Sequence, residues 1–282
     1  MPTRISQLIE THDQTSKNRL ENVLTILKTL LNNSKKTESA VLCTISTAQI
    51  HRLEGEGQHF CGYRNMQMLL SSLPEPLDPI SRRPPSHRST GACTLTQQKP
   101  TVLALQALIE KAWSAGHNAH GRIETDGILN TRKHVGTSEA EALFAYLDVE
   151  TTAHVFRGAK AWRNLLDYVE QYFSESKTAV ESRSKTGTAG RERITLTARP
   201  PMFLQRPRHS LTIVGIECTR SGKRRLLVFD PGYDPPATLK RALGRADYKI
   251  EEGKEERVLT YYRRGERYLK RFDGFEILHV KG

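Results

Sequence analysis

With 282 residues, 37% hydrophobic and 26% charged, the chain is long enough for one large domain or two small ones with a proper core. It holds no stretch apolar enough to span a membrane, and its polar start, Met1 to Asn18, carries neither a secretory signal nor an anchor. Four cysteines, Cys43, Cys61, Cys93 and Cys218, lie too far apart for a zinc knuckle and are too few for a secreted disulfide scaffold, so free thiols in a reducing compartment, cytoplasm or nucleus, are expected, while a formal net charge of +12 leaves nucleic acid, an acidic partner or solubility open.

Taken in order, Asn18 to Leu31 spaces Leu20, Val23, Leu24, Leu27 and Leu31 as an amphipathic helix, and Ser39 to Ser46 is β-prone. Residues 1–48 are expected to be a helical arm with a lead-in strand, and 49–282 the main domain. A helix opens at Cys61. Leu73 to Pro100 collects Pro, Ser, Arg and Thr without periodicity and reads as a loose loop. Helical spacing resumes over Val102 to Gly116, with Gly116 as the stop, and again from Thr137 or Ser138, where Ser138 as cap and Glu141 would form a capping box. A strand over Thr151 to Phe156 and a helix over Ala159 to Phe173 follow. The Ser/Thr/Lys/Arg/Glu tract 174–192 shows no apolar pattern and reads as a mobile loop. Pro201 to Gln205, Ser210 to Cys218, Arg225 to Asp230 and Phe275 to Val280 are short apolar, β-branched runs, expected as neighbouring antiparallel strands. The whole is predicted to be a mixed α/β (α+β) domain, helical first and sheet-forming later.

Two basic clusters stand out. Arg220 to Arg225 reads as a solvated hairpin turn, whereas Tyr261-Tyr262-Arg263-Arg264-Gly265-Glu266-Arg267 interleaves aromatics with arginines and suits weak nucleic-acid contact.

Chemistry centres on Cys61. It stands where a Gly- and polar-rich segment gives way to an amphipathic run, so the unpaired N–H groups and positive dipole end of a helix would lower its thiol pKa. The alternative is a small buried hydrophobe. A cysteine nucleophile needs a base, a group to orient the base, and oxyanion donors. His209 opens one strand run, Asp230 ends the next, and Gln205 ends the one before. Each has a plainer reading: a surface histidine, an Asp-Pro-Gly turn, an ordinary strand amide.

Cys-Gly-Tyr-Arg-Asn-Met-Gln-Met-Leu-Leu-Ser-Ser-Leu at 61–73 resembles the nucleophile helix of the zinc-finger ubiquitin peptidase family, relatives of the proteases that process ubiquitin-fold modifier. The similarity continues through 109–116, 135–139, His209 to Glu217 and Phe229-Asp230-Pro231-Gly232, in family order. The resemblance implies a papain-like cysteine peptidase fold and a thiol deubiquitinase acting after the C-terminal glycine of ubiquitin or polyubiquitin, in a short, monomeric member without the zinc fingers, needing no metal or other cofactor. By matching position it implies Cys61 as nucleophile, His209 as base, Asp230 as its orienter and Gln205 as oxyanion residue. Glu139 matches an acid that pairs with ubiquitin's tail, Asn118 stands where a second such acid is usual, and Phe60 replaces a tryptophan before the nucleophile. The alternatives are a protease for ubiquitin-fold modifier, or a non-catalytic ubiquitin- or nucleic-acid-binding adaptor.

Overall fold

Apolar stripes at helical spacing and apolar strands with two buried faces fold here as two helical layers around one sheet. In the structure, a computed structural model describing residues 1–74, 99–181, 192–245, 250–251 and 253–281, the chain begins with α1 (Thr3–His12), β1 (Arg19–Leu20), α2 (Val23–Asn33), β2 (Thr37–Leu42) and β3 (Gln49–Ile50). The helices α3 (Cys61–Ser71), α4 (Val102–Ser114), α5 (His120–Thr125) and α6 (Thr137–Tyr146) follow. Then come β4 (Thr151–Arg157), α7 (Ala161–Glu181), β5 (Ile194–Leu196), β6 (Met202–Arg206), β7 (His209–Thr219) and β8 (Arg224–Phe229). The chain closes with α8 (Ala237–Gly244), α9 (Glu255–Tyr262), β9 (Arg263–Gly265), α10 (Glu266–Leu269) and β10 (Gly274–Val280).

The sheet runs β4-β10-β6-β7-β2-β5, with β8 on β7 and β9 on β8. β7 organises it: its first half pairs with β6 and its second half with β2, while β8 runs antiparallel beside it. The sheet is mixed rather than wholly antiparallel, because β5 returns from α7 parallel to β2. No helix among the described residues is long and apolar enough to cross a membrane.

Alternation along the strands sends side chains to two cores. Met202 and Leu204 of β6, with Phe275 and Ile277 of β10, face a cluster filled by α2 and α7. Phe203, Leu278 and Val280 face the other, filled by α3, α4 and α6. Each fully buried Leu, Met or Phe contributes roughly 1.5–3 kcal/mol by leaving water. Residues 1–48 supply Ile9 to one cluster and α2 and β2 to the other.

Several boundaries differ from the sequence expectation. α4 stops as expected, with Gly116 at φ +93° just beyond it and its N–H on Trp113 O. α6 starts at Thr137, two residues earlier than a Ser138 cap allows: Gly136 is its N-cap, and the Glu139 side chain accepts the Gly136 N–H at 2.7 Å. Glu141 lies two residues too late to do this. The tract 174–192 begins as helix, α7 continuing to Glu181 through residues that include no glycine or proline. Residues 182–191, and 75–98 of the expected 73–100 loop, lie outside the described residues.

Candidate active site

α3 enters from a non-helical Phe60 that offers no side-chain cap, so the first-turn N–H groups remain available around Cys61. Gly62 lets this helix start press against the turn before α6: a Cβ there would sit 2.2 Å from Val135 O. On its other side α3 packs on β7, where Thr212 Oγ1 donates to buried Asn65 Oδ1 at 2.8 Å. These contacts set the half-buried Cys61 thiol against the head of β7, within hydrogen-bonding reach of His209 and Ser210.

His209 is the first residue of β7, and Asp230 follows the last residue of β8. The register Thr212 opposite Phe229 brings both to one end of the pair. There His209 Nε2–H donates to Asp230 Oδ1 at 2.7 Å, leaving Nδ1 for Cys61. The carboxylate is fixed twice more. Gly232 N–H donates to Oδ1 at 3.0 Å, and Arg264 Nη2 donates to Oδ2 at 2.9 Å. Arg264 is itself held by Nη1 donation to Tyr261 O and Arg263 O, at 3.0 and 3.1 Å.

The electrostatics favour a charged pair. Burial alone would push the Cys61 thiol up, but the polar groups of His209 and Ser210 beside it and the imidazolium charge outweigh it, and the thiol lies below its ordinary value. Burial alone would push His209 down, yet its bonds to Asp230 and Cys61 carry it up to about 9. Asp230 is raised by burial but lowered more by His209 and Arg264. Both shifts run toward thiolate and imidazolium, the state a thiol nucleophile requires. The other described cysteines contrast: burial drives Cys43 up to about 12, and Cys218 is raised as well. Cys93 lies outside the described residues.

The remaining sequence candidates are placed less directly. Gln205 sits on β6 opposite Ser210, but its Nε2 donates to Arg206 O at 3.2 Å while its Oε1 is buried without a hydrogen bond, near Gly136. Glu139, half-buried, caps α6 through Gly136. Asn118 is exposed and donates to Ser138 O and to Glu141 Oε2, at 3.2 and 3.1 Å. The Phe60 ring is 1% exposed and packs with Tyr63, so only its backbone borders the cleft.

Two features escaped sequence reasoning. Arg264 belongs to a stretch read as basic surface, whereas β9 pairs with β8 and points it inward, Arg264 opposite Leu226. Period-two alternation across Arg263 and Arg264 was the available signal. Arg64, in the first turn of α3, is 0% exposed. It bonds Asp13, Glu56 Oε2 at 2.5 Å and Gln67 Oε1 at 2.9 Å, and Asp13 also receives Gln67 Nε2 and Val102 N–H. The nucleophile helix is thereby tied to the end of α1, the loop before Cys61 and the start of α4.

The cleft over Cys61 has a volume of about 430 Å³ and is bordered by Gln58, Arg52, Arg208, His209 and Gly232. Among the described residues no three or more His, Cys, Asp or Glu converge as metal ligands would.

Comparison with known proteins identifies the family. Residues 36–278 match peptidase family C78. The chain is 30% identical over 215 residues to zinc finger-containing ubiquitin peptidase 1 of Mus musculus, covering 73% of this chain and 33% of that protein. The Homo sapiens protein of the same name is 28% identical over 64% of this chain and 28% of its own length. Ubiquitin carboxyl-terminal hydrolase mug105 of Schizosaccharomyces pombe is 28% identical over 78% of this chain and 74% of its own. The chain thus spans about a third of the length of the zinc finger-containing relatives. Among solved structures, UfSP from C. elegans overlays with a TM-score of 0.48 at 14% identity, covering 95% of this chain and 38% of that one. A cysteine at a helix start, facing a histidine and an aspartate on a sheet, is the papain-like arrangement expected from the sequence, and the chain belongs to peptidase family C78, whose chemistry is that of a cysteine peptidase.

Proposed function

We propose that the protein is a deubiquitinase that hydrolyses the peptide or isopeptide bond after the C-terminal glycine of ubiquitin, and that it acts on polyubiquitin chains. The observation that carries this reading is His209, hydrogen-bonded to Asp230 and set beside a Cys61 thiol whose pKa is lowered. The names of the relatives support ubiquitin as the modifier.

In the reaction His209 Nδ1 holds the thiol proton and the Cys61 thiolate attacks the glycyl carbonyl carbon. The carbonyl oxygen takes up negative charge against the N–H groups at the start of α3, and against Gln205 once its amide turns from Arg206 O. As the C–N bond breaks, His209 gives its proton to the leaving amine, and a thioester remains on Cys61. His209, now neutral, takes a proton from water. The hydroxide attacks the thioester, and the thiolate leaves as a free glycyl carboxylate forms. Asp230 stays ionised throughout and steadies the imidazolium. Glu139, after release from Gly136, is the group proposed to hold a basic residue of the ubiquitin tail.

The test is covalent labelling by C-terminal electrophile probes built on ubiquitin and on ubiquitin-fold modifier. The expected result is labelling by the ubiquitin probe alone, abolished in Cys61→Ala and slowed at least tenfold in His209→Ala. Labelling by the other modifier alone would reassign the substrate, and labelling by neither would sink the peptidase reading.

A further inference from the structure

In the proposed reaction the leaving amine takes its proton from His209, so the polypeptide carrying that amine departs past the imidazole. On that side the cleft over Cys61 continues into a second cavity of about 520 Å³, and the two share Arg206, His209 and Tyr233. Its farther wall is made by Tyr261, Arg264, Tyr268 and Arg271.

The charge of this cavity is one-sided. Asp230 is the sole carboxylate among its lining residues, and His209 and Arg264 already occupy it. Arg263 is neutralised by Glu217 and Glu256. Arg206 and Arg271 have no carboxylate partner among the described residues. Both are nevertheless held in place. Arg206 donates to the Tyr268 hydroxyl at 2.8 Å, Arg271 to Tyr268 O at 3.2 Å, and both guanidiniums lie over the rings of Tyr268 and Phe272. Two arginines kept rigid by stacking lose little entropy when they bind, and their forked donors match carboxylates. Tyr233 and Tyr261, 57% and 44% exposed, stand at the rim and offer apolar faces to a peptide.

We propose that this arginine- and tyrosine-lined cavity is the subsite for the leaving group, and that it selects substrates whose modified lysine is flanked by aspartate or glutamate. The inference rests on the deubiquitinase reading and adds to it the chemistry of the chain from which ubiquitin is removed. A nucleic-acid stripe fits less well. Of the stretch Tyr261 to Arg267, Tyr262 is buried and Arg263 and Arg264 are turned into ion pairs, so no continuous basic and aromatic surface is presented. The unpaired arginines line the cavity that opens beside His209 instead.

The experiment uses ubiquitin joined through its C-terminal glycine to the lysine of three peptides, with acidic, neutral or basic flanks. Ubiquitin aminocoumarin amide, whose leaving group carries no peptide, is the reference for each enzyme variant. At low salt the acidic peptide is expected to exceed the neutral one in kcat/KM by about fivefold and the basic one by more, with the spread collapsing in high salt. Arg271→Glu is expected to invert the order, and Arg271→Ala to flatten it, each ratio taken against that variant's own coumarin turnover. No coumarin turnover by the wild type overturns the deubiquitinase reading and the subsite with it. Coumarin turnover with equal rates for the three peptides, or a preference that survives both substitutions, overturns the subsite alone. Equal peptide rates together with single-stranded oligonucleotide binding lost in Arg271→Glu would reassign the cavity to nucleic acid.

Discussion

Arg264 and His209 hold opposite oxygens of one carboxylate: Arg264 Nη2 donates to Asp230 Oδ2 at 2.9 Å and His209 Nε2 to Oδ1 at 2.7 Å. Arg264 thus reaches Cys61, the proposed nucleophile, two steps removed, through Asp230 and His209. Arg264→Gln removes a charge that depresses the Asp230 pKa, so the carboxylate protonates at higher pH and the imidazolium loses its partner sooner as pH falls. The expected outcome is a kcat reduced by about ten- to a hundredfold with little change in KM, and an acid limb of the kcat profile moved upward. Arg264→Lys restores the charge without the fork and is expected to return the limb while recovering only part of kcat. Steady-state kinetics between pH 5 and pH 9 check both statements.

Substitution of Gln205, the proposed oxyanion residue, separates oxyanion stabilisation from nucleophile activation. Alkylation of Cys61 by a small haloacetamide develops no oxyanion, whereas acyl transfer does. Gln205→Ala is expected to lower kcat by roughly 10²–10³-fold while leaving the alkylation rate of Cys61 within about twofold of wild type. A parallel fall in both rates would mean that the substitution has disturbed the Cys61–His209 pair, and the assignment of Gln205 would be wrong.

Arg64 lies in a net-acidic buried cluster, facing Asp13 and Glu56, and Glu56 is already raised by its burial. Arg64→Met leaves two buried carboxylates without their cation. It is expected to destabilise the fold by about 3–5 kcal/mol, read as a lowered midpoint in urea. Arg64→Met with Glu56→Gln removes one charge of each sign and is expected to recover part of that loss.

Local chemistry explains what could be read in advance. Cys61, His209 and Asp230 each sit where one element begins or ends, and such boundaries are written in adjacent residues: a glycine-rich approach, an apolar run, an Asp-Pro-Gly turn. Arg264 and Arg64 were hidden for the opposite reason. Arg264 meets its partner across 34 positions of sequence, through a strand only three residues long. Arg64 is buried against Asp13, 51 positions away, and Glu56 in the loop before its own helix, and periodicity alone assigns an arginine to the solvent face. The parallel β5 was equally invisible, since the direction of its partner depends on how α7 crosses the sheet.

The ion pair also makes a prediction about stability. In the native state between the lowered Cys61 pKa and about 9, thiolate and imidazolium together hold one proton. The unfolded pair, neutral thiol and neutral imidazole above about pH 6.5, also holds one. Folding moves a proton from sulfur to nitrogen without taking one up, so this pair gives wild-type stability no slope over that window. Cys61→Ala changes the count. His209 is still raised by its bond to Asp230, so the native state binds a proton that the unfolded state has released. A raised histidine contributes stability that is complete below about pH 6.5 and is lost as pH rises through the folded value. The unfolding free energy of Cys61→Ala is therefore expected to fall with rising pH by up to about 1.4 kcal/mol per unit relative to wild type. Urea unfolding of both proteins at pH values above the wild-type Cys61 titration, located first by the pH dependence of Cys61 alkylation, and below about 8.5 measures the difference, and parallel curves there would mean that Asp230 does not hold His209 charged once the thiol is gone.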